Sequence, residues 1–335
     1  MGAGDPSLTA ARRWGALGRR LGHAAAVWWA VVTATFLLVH AVPGGTEPAI
    51  LSLRWSPSAF AAWDQRLGLV GPWWQQYLRW WAAVASGHLG RSWVTGQPVV
   101  QVVAQALPYT LLLMGVAMLG TLALGLGLAA WAVLRPKTPS SAAVGTLSQI
   151  GLALPDFWVG SLLLWVAARW LPWVPVTGPP AAAGVGSWAA RLLPPVATLV
   201  FTQAPAWVRL WYVRLDEAWS APHVLAARAL GAGPSEALWR YALPVAWPPV
   251  LALVGSQALP ALLSGAVVVE SLFDWPGMGR LLWQAANAHD LPVVLGGVLA
   301  SAALTALGSA AADVAEWALD PRRRRPWAGE SGGGP

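Results

Sequence analysis

Residues 107–134 read LPYTLLLMGVAMLGTLALGLGLAAWAVL, without one Asp, Glu, Lys or Arg. A helix needs about 20 mostly apolar residues to cross the hydrocarbon core of a bilayer, and this run exceeds that length. Its glycines, Gly115, Gly120, Gly125 and Gly127, allow another helix to come close, as small residues do between membrane helices. Outward from it, further uncharged intervals lie at 21–46, 192–208, 241–269 and 291–312, and a sixth candidate at 142–171, expected to kink at Pro155, is interrupted by Asp156 and Arg169. Only 10% of the 335 residues are charged, against about 25% in soluble domains. An open chain in lipid must satisfy its backbone groups within each crossing segment, which leaves helices. The expected fold is an all-α integral membrane protein of about six transmembrane helices, with an outer segment between the first and second.

The net charge of +7 has a place in this scheme. Arg12, Arg13, Arg19 and Arg20 precede the first span, and Arg135 and Lys137 separate the second and third. Arg209, Arg214, Arg228 and Arg240 fall between the fourth and fifth, and Arg322 to Arg325 follow the sixth. Alternate connections carry the positive charge, so both termini are expected in the cytoplasm. Such clustering at span ends is solvated tail and loop charge rather than a nucleic-acid surface. The expected organisation is a tail at 1–23, a first span at 24–43 and an extracytoplasmic segment at 44–103. A five-helix core follows at 104–320 with a cytoplasmic loop at 214–244, then a basic, Gly-rich tail at 321–335. The first apolar run, about 19 residues, is longer than a cleaved signal uses and reads as a retained anchor. In the outer segment, Trp73, Trp74, Tyr77, Trp80 and Trp81 fall at helical spacing. That stripe suits a helix in the headgroup zone, or one packed within the outer segment.

Several chemistries are excluded. A phosphate-binding P-loop needs Lys after Gly, and the one lysine, Lys137, follows Pro136. The five histidines form no metal-ligand spacing, and the chain has no cysteine. No catalytic group and no cofactor or metal set emerges, so the chain is not expected to be an enzyme. Asp156 is the acid placed well inside a span, where an ionisable group marks a solute or ion path. Asp156 is the candidate for lining such a path, with a structural pairing as the alternative.

Residues 224–251, VLAARALGAGPSEALWRYALPVAWPPVL, interrupt this apolar chain with a broken, partly charged hairpin. Pro222 suits a first helical position and Gly231 a helix end. Pro234 starts a second short helix, with Glu236 near its positive end and Arg240 four residues on. Pro244 is expected to close it, with further stops at Pro248 and Pro249. Such a hairpin between spans can protrude and fit a groove on another protein.

The spacing resembles the EAA loop of ABC-importer permeases, EAA-x3-G-x9-I-x-LP. Ala226, Ala227, Gly231, Leu243 and Pro244 stand on matching positions, with Leu225 in place of Glu and Tyr241 in place of Ile. The dipeptide, oligopeptide and nickel branch departs at the same places and carries an ARAKG-like core; here it reads ARALG, with Arg228 kept and Leu230 where Lys is common. The segments LGLVGPWWQQYLRWWAAVASGHLGRSWVTGQPV, LPDFWVGSLLLWVAARWLPWVPVTG, GAVVVESLFDWPGMGRLL and ALDPRRR are similar to the same branch and occur in its order, over residues 20–325.

The resemblance implies a type I ABC importer permease fold in a bacterial-type inner membrane. It implies as partners a second homologous permease, two ABC ATPase subunits that use ATP and Mg²⁺, and an extracytoplasmic substrate-binding protein, within membrane lipid. Leu225, Ala226, Ala227, Arg228, Gly231, Tyr241, Leu243 and Pro244 would couple ATPase motion to alternating access for peptides or a related solute. Glu270 and the DWPG turn at 274–277 would lie near the outer mouth, Glu270 either contacting solute on the translocation pathway or holding a structural role. An ion-coupled secondary transporter is the alternative function.

Overall fold

The computed structural model describes residues 6–41, 71–170, 184–254 and 259–319, and among them the chain is helical apart from short connections and one isolated bridge, Arg91 to Pro98. The helices are α1 (Pro6–Ala41), α2 (Trp73–Ala85), α3 (Val99–Leu134), α4 (Pro139–Leu152), α5 (Asp156–Trp170) and α6 (Gly184–Trp219). The hairpin comprises α7 (Pro222–Ala229) and α8 (Pro234–Glu236), the latter continuing through a π-helical turn (Ala237–Ala242) into α9 (Leu243–Leu253). Then come α10 (Leu259–Leu272), α11 (Met278–Asn287) and α12 (Leu291–Leu319). The basic run at 322–325 and the outer residues 42–70 lie outside the described residues.

Among the described residues, Gly22–Ala41, Val99–Leu134 and Leu291–Ala310 are long and apolar enough to cross a membrane outright. The third candidate span is not one kinked helix: α4 and α5 meet at a bend of 105°. Pro155 has no N–H to continue the ladder of α4 and disfavours helical geometry in Leu154, so the interval is divided into two helices. The fourth expected interval lies inside α6, which runs through Pro194, Pro195 and Pro205. The fifth is shared by α9 and α10, with 255–258 outside the described residues. Helix α1 starts at Pro6, so most of the stretch expected as a polar tail is helical.

The glycines of α3 do what close packing requires, but selectively. A Cβ on Gly125 would lie 3.0 Å from Trp207 Cβ, and one on Gly120 2.9 Å from Val200 Cγ2, whereas Gly115 and Gly127 meet nothing within 4 Å. Helices α3 and α6 therefore pack backbone to backbone along one glycine-bearing face. The outer helix α2 divides its aromatic stripe between both expected roles. Tyr77 and Trp80 pack on Phe36 of α1, and Trp81 meets Trp28 edge to face at 5.6 Å. Trp73 and Trp74 remain about half exposed. Trp28 in turn donates to the Leu299 carbonyl oxygen at 3.2 Å, tying α1 to α12.

Candidate functional site

The hairpin ends α7 with a Schellman turn. The N–H of Gly231 donates to the Arg228 oxygen at 3.1 Å, and that of Ala232 to the Ala227 oxygen at 3.0 Å. That closure needs a left-handed residue after the helix, and Gly231 supplies it at φ +100°. A Cβ there would meet nothing within 4 Å; glycine is required by backbone angle, not by space.

The second arm differs from the sequence expectation. Pro244, Pro248 and Pro249 do not stop the helix. A proline inside an α-helix leaves the carbonyl four residues earlier without its partner and crowds it. Here the π turn precedes Pro244, and the N–H of Leu243 reaches the Leu238 oxygen five residues back. The wider ladder absorbs the mismatch, and Pro244 sits in the first turn of α9, where its missing N–H is tolerated.

Packing decides which hairpin residues face outward. Val224 and Leu238 are fully buried in one cluster with Trp211 and Leu215 of α6 and Val133 of α3, extended by Ala237, Ala242 and Ala246. His223 Nε2 donates to the Tyr241 carbonyl oxygen at 3.3 Å, joining the arms. Arg228 lies over the Trp219 ring at 4.6 Å, and Arg240 pairs with Glu236 at 3.4 Å. Leu225, Ala226, Arg228, Gly231 and Pro244 are exposed, while Ala227, Tyr241 and Leu243 are half-buried. Leu230, at 89% exposure, is the most uncovered large apolar side chain described. The anchors Val224 and Leu238 were not among the sequence candidates. Their signal was only that apolar residues alternate with the exposed ones at helical spacing.

Glu270 and Asp156 occupy unlike surroundings. Glu270 is fully buried, and both its oxygens are engaged by the protein. Thr110 Oγ1 donates to Oε1 at 2.6 Å; the N–H groups of Gly279 and Arg280 donate to Oε2 at 2.7 and 3.1 Å. The Thr110 hydroxyl accepts from the Met278 N–H at 2.7 Å. Glu270 is thus a cap borrowed from α10 by the first turn of α11, where free N–H groups and the helix dipole favour an anion. A Cβ on Gly277 would lie 2.2 Å from its carboxyl carbon. Trp275, from the DWPG turn, donates from Nε1 to the Tyr109 oxygen at 3.0 Å. In this conformation the geometry describes the structural role for Glu270. Asp156 is half-buried in the first turn of α5, beside the 105° bend. No metal-ligand cluster forms among the described residues.

A third carboxylate escaped the sequence reading. Asp290, buried just before α12, accepts from the Ser92 hydroxyl and from the N–H groups of Trp93 at 3.0 Å and Val94 at 3.5 Å. It pins the 86–98 loop of the outer segment to the membrane core. Its one sequence signal was its place ahead of Leu291-Pro292, where a helix cap belongs.

The hairpin is thus anchored inward on α3 and α6 and presents its other face outward. The family model described as binding-protein-dependent transport system inner membrane component matches residues 121–325. The chain belongs to this family. The match runs from within α3 through the hairpin, Glu270 and Asp290. The dipeptide transport system permease protein DppB of Alkalihalophilus pseudofirmus is 28% identical over 310 residues, covering 86% of this chain and 92% of that protein. The di/tripeptide transport system permease protein DppB of Pseudomonas aeruginosa is 31% identical over 330 residues, covering 92% and 98%. The glutathione transport system permease protein GsiC of Salmonella paratyphi A is 31% identical over 296 residues, covering 88% and 94%. The apolar helices fit a type I permease of an ABC importer, a multi-pass membrane protein, and the family lends no support to an ion-coupled carrier.

Proposed function

We propose that this permease is the translocation subunit of an ATP-driven importer of short peptides, moved through its 222–244 hairpin. The observation that carries the reading is the anchoring of both hairpin arms. Val224 and Leu238 are buried with the packed ends of α3 and α6, while Leu225, Ala226, Arg228 and Leu230 are exposed. Close-packed interiors transmit displacement rather than absorb it, so a push on the exposed face reaches α3, α6 and α9 together. Energy has to come from outside, because the chain carries no P-loop. Two ATPase subunits using ATP and Mg²⁺ are the proposed source. A second permease of the same family completes the path, and an extracytoplasmic binding protein delivers the solute. The positive charge of alternate connections supports a cytoplasmic side for both termini and the hairpin. Dipeptides, di/tripeptides and glutathione, named for the relatives, are all short peptides, and Asp156 is the residue proposed to face them.

Gly231→Trp tests the coupling role. A Cβ at Gly231 meets nothing within 4 Å, so the direct cost is left-handed strain of about 1–2 kcal/mol, small beside the ~5–15 kcal/mol that holds a chain folded. The variant is expected to insert and purify normally, yet to lose ATPase co-purification or substrate-stimulated hydrolysis. Normal values for both would end the coupling assignment.

A further inference from the structure

A cavity of about 770 Å³ opens between the end of α3, the whole of α4 and the middle of α6. Its lining includes Lys137, Gln149, Arg209 and Tyr212 among apolar residues such as Val144 and Leu152, and it contains no carboxylate. Lys137 and Arg209 are both exposed and make no ion pair among the described residues. The lining hydroxyls are already used: Thr138 donates to the Arg135 oxygen, Ser141 to the Thr138 oxygen and Ser148 to the Val144 oxygen. What remains for a ligand is two cations, an amide and a phenol, beside an apolar wall.

We propose that this cavity holds the phosphate headgroup of an anionic phospholipid, its acyl chains lying along α4. Three observations converge on that occupant. Arg209 follows directly on the uncharged interval 192–208, so its charge sits at a span edge, where a long cationic side chain reaches toward the headgroup zone. Lys137 stands just beyond the apolar helix α3, on the side that the basic connections assign to the cytoplasm, whose leaflet carries anionic lipid. And α4 has no buried residue and leaves Leu147, Ile150 and Leu152 uncovered next to the cavity, an apolar surface that a free phosphate would leave bare. A basic pocket between membrane helices at this level is suited to a lipid headgroup, and the volume is in the range of small-ligand sites. The inference stands apart from the peptide reading.

The test uses the assembled importer in nanodiscs of phosphatidylcholine, with and without phosphatidylglycerol. Lys137 is the only lysine of the chain, so amine acylation, read by peptide mass spectrometry, reports on this cavity alone. Two surface cations predict a preference for the anionic lipid of about 30-fold. Acylation of Lys137 is expected to slow correspondingly with phosphatidylglycerol and to be unaffected by millimolar inorganic phosphate. Native mass spectrometry is expected to find one phosphatidylglycerol retained per permease, and none after Lys137→Gln with Arg209→Gln. Both sites are exposed, so subunit assembly of the variant checks its fold. Equal retention by the variant would overturn the proposal, as would protection of Lys137 by inorganic phosphate or by a peptide substrate as complete as that by the lipid.

Discussion

Glu270 separates a structural carboxylate from a transport carboxylate, and Glu270→Gln is the change that tells them apart. The side chain keeps its length and shape, so no cavity opens. In the native arrangement Oε1 takes the Thr110 hydroxyl while Oε2 takes the N–H groups of Gly279 and Arg280. A glutamine retains one oxygen, best spent on the two backbone donors. Its amide nitrogen then faces Thr110, whose hydroxyl already accepts from Met278 N–H and must turn its own hydrogen into a buried wall. Hydrogen bonds to a charged group contribute about 1.5–3 kcal/mol against about 0.5–1.5 for neutral ones. The amide can donate to the second lone pair of the Thr110 oxygen, so losing charge assistance on two bonds and stranding the Thr110 hydrogen costs about 4 kcal/mol. Thr110→Val removes one carboxylate bond and strands the Met278 N–H, a loss of similar size. Because both changes act on one network, the double variant should fall short of the sum by about 1 kcal/mol or more. Thermal inactivation of the purified importer, compared among the four proteins, measures these differences; peptide uptake into proteoliposomes is followed in parallel. The structural reading expects the inactivation temperature of Glu270→Gln to fall, with uptake by the surviving folded protein retained. Unchanged thermal behaviour with uptake abolished would refute it and return Glu270 to the pathway.

Three further outcomes follow from the same packing. Leu238→Ala removes a fully buried anchor, at a cost of about 2–5 kcal/mol. Limited proteolysis between Gly231 and Pro234 should accelerate while α3 and α6 stay protected, and an unchanged cleavage rate would contradict the anchor. Asp290→Ala removes the carboxylate that accepts from the Ser92 hydroxyl and the Trp93 N–H, and leaves the Val94 N–H only its contact with Ser92 Oγ at 3.3 Å. Amide exchange at Trp93 and Val94 should rise at least tenfold, the equivalent of about 1.4 kcal/mol; native-like protection there would show the loop to be held by other contacts. Asp156→Asn keeps the shape and removes the charge, so uptake of at least some peptides should fall with assembly intact. Equal uptake of every peptide tried would take Asp156 out of the path.

How far each feature could be read depended on the distance over which its cause acts. The long apolar helices were legible because hydrocarbon thickness sets a requirement that each segment meets by itself. The turn at Gly231 was legible for the same reason: a left-handed residue after a helix is a local demand, and Gly between two prolines announces it. Pro244 misled because the rule against proline assumes α-type bonding, and the π turn at 237–242 changes the ladder ahead of it. The Pro155 break was visible, but its 105° size was not. That angle depends on what α4 and α5 rest against, including Gly151 on Pro205 and Gly160 on Leu272.

The chain on its own determined that this is a helical membrane protein with a broken hairpin between its apolar helices and no P-loop motif. Composition, charge placement and turn residues act within one or two helical turns. Tertiary structure alone decided that Glu270 is a cap, that Asp290 is a latch and that Lys137 shares a cavity with Arg209. Thr110 and Glu270 are 160 residues apart, and Ser92 and Asp290 198. A buried carboxylate is defined by the donors that replace its water, and only folding brings those donors to it.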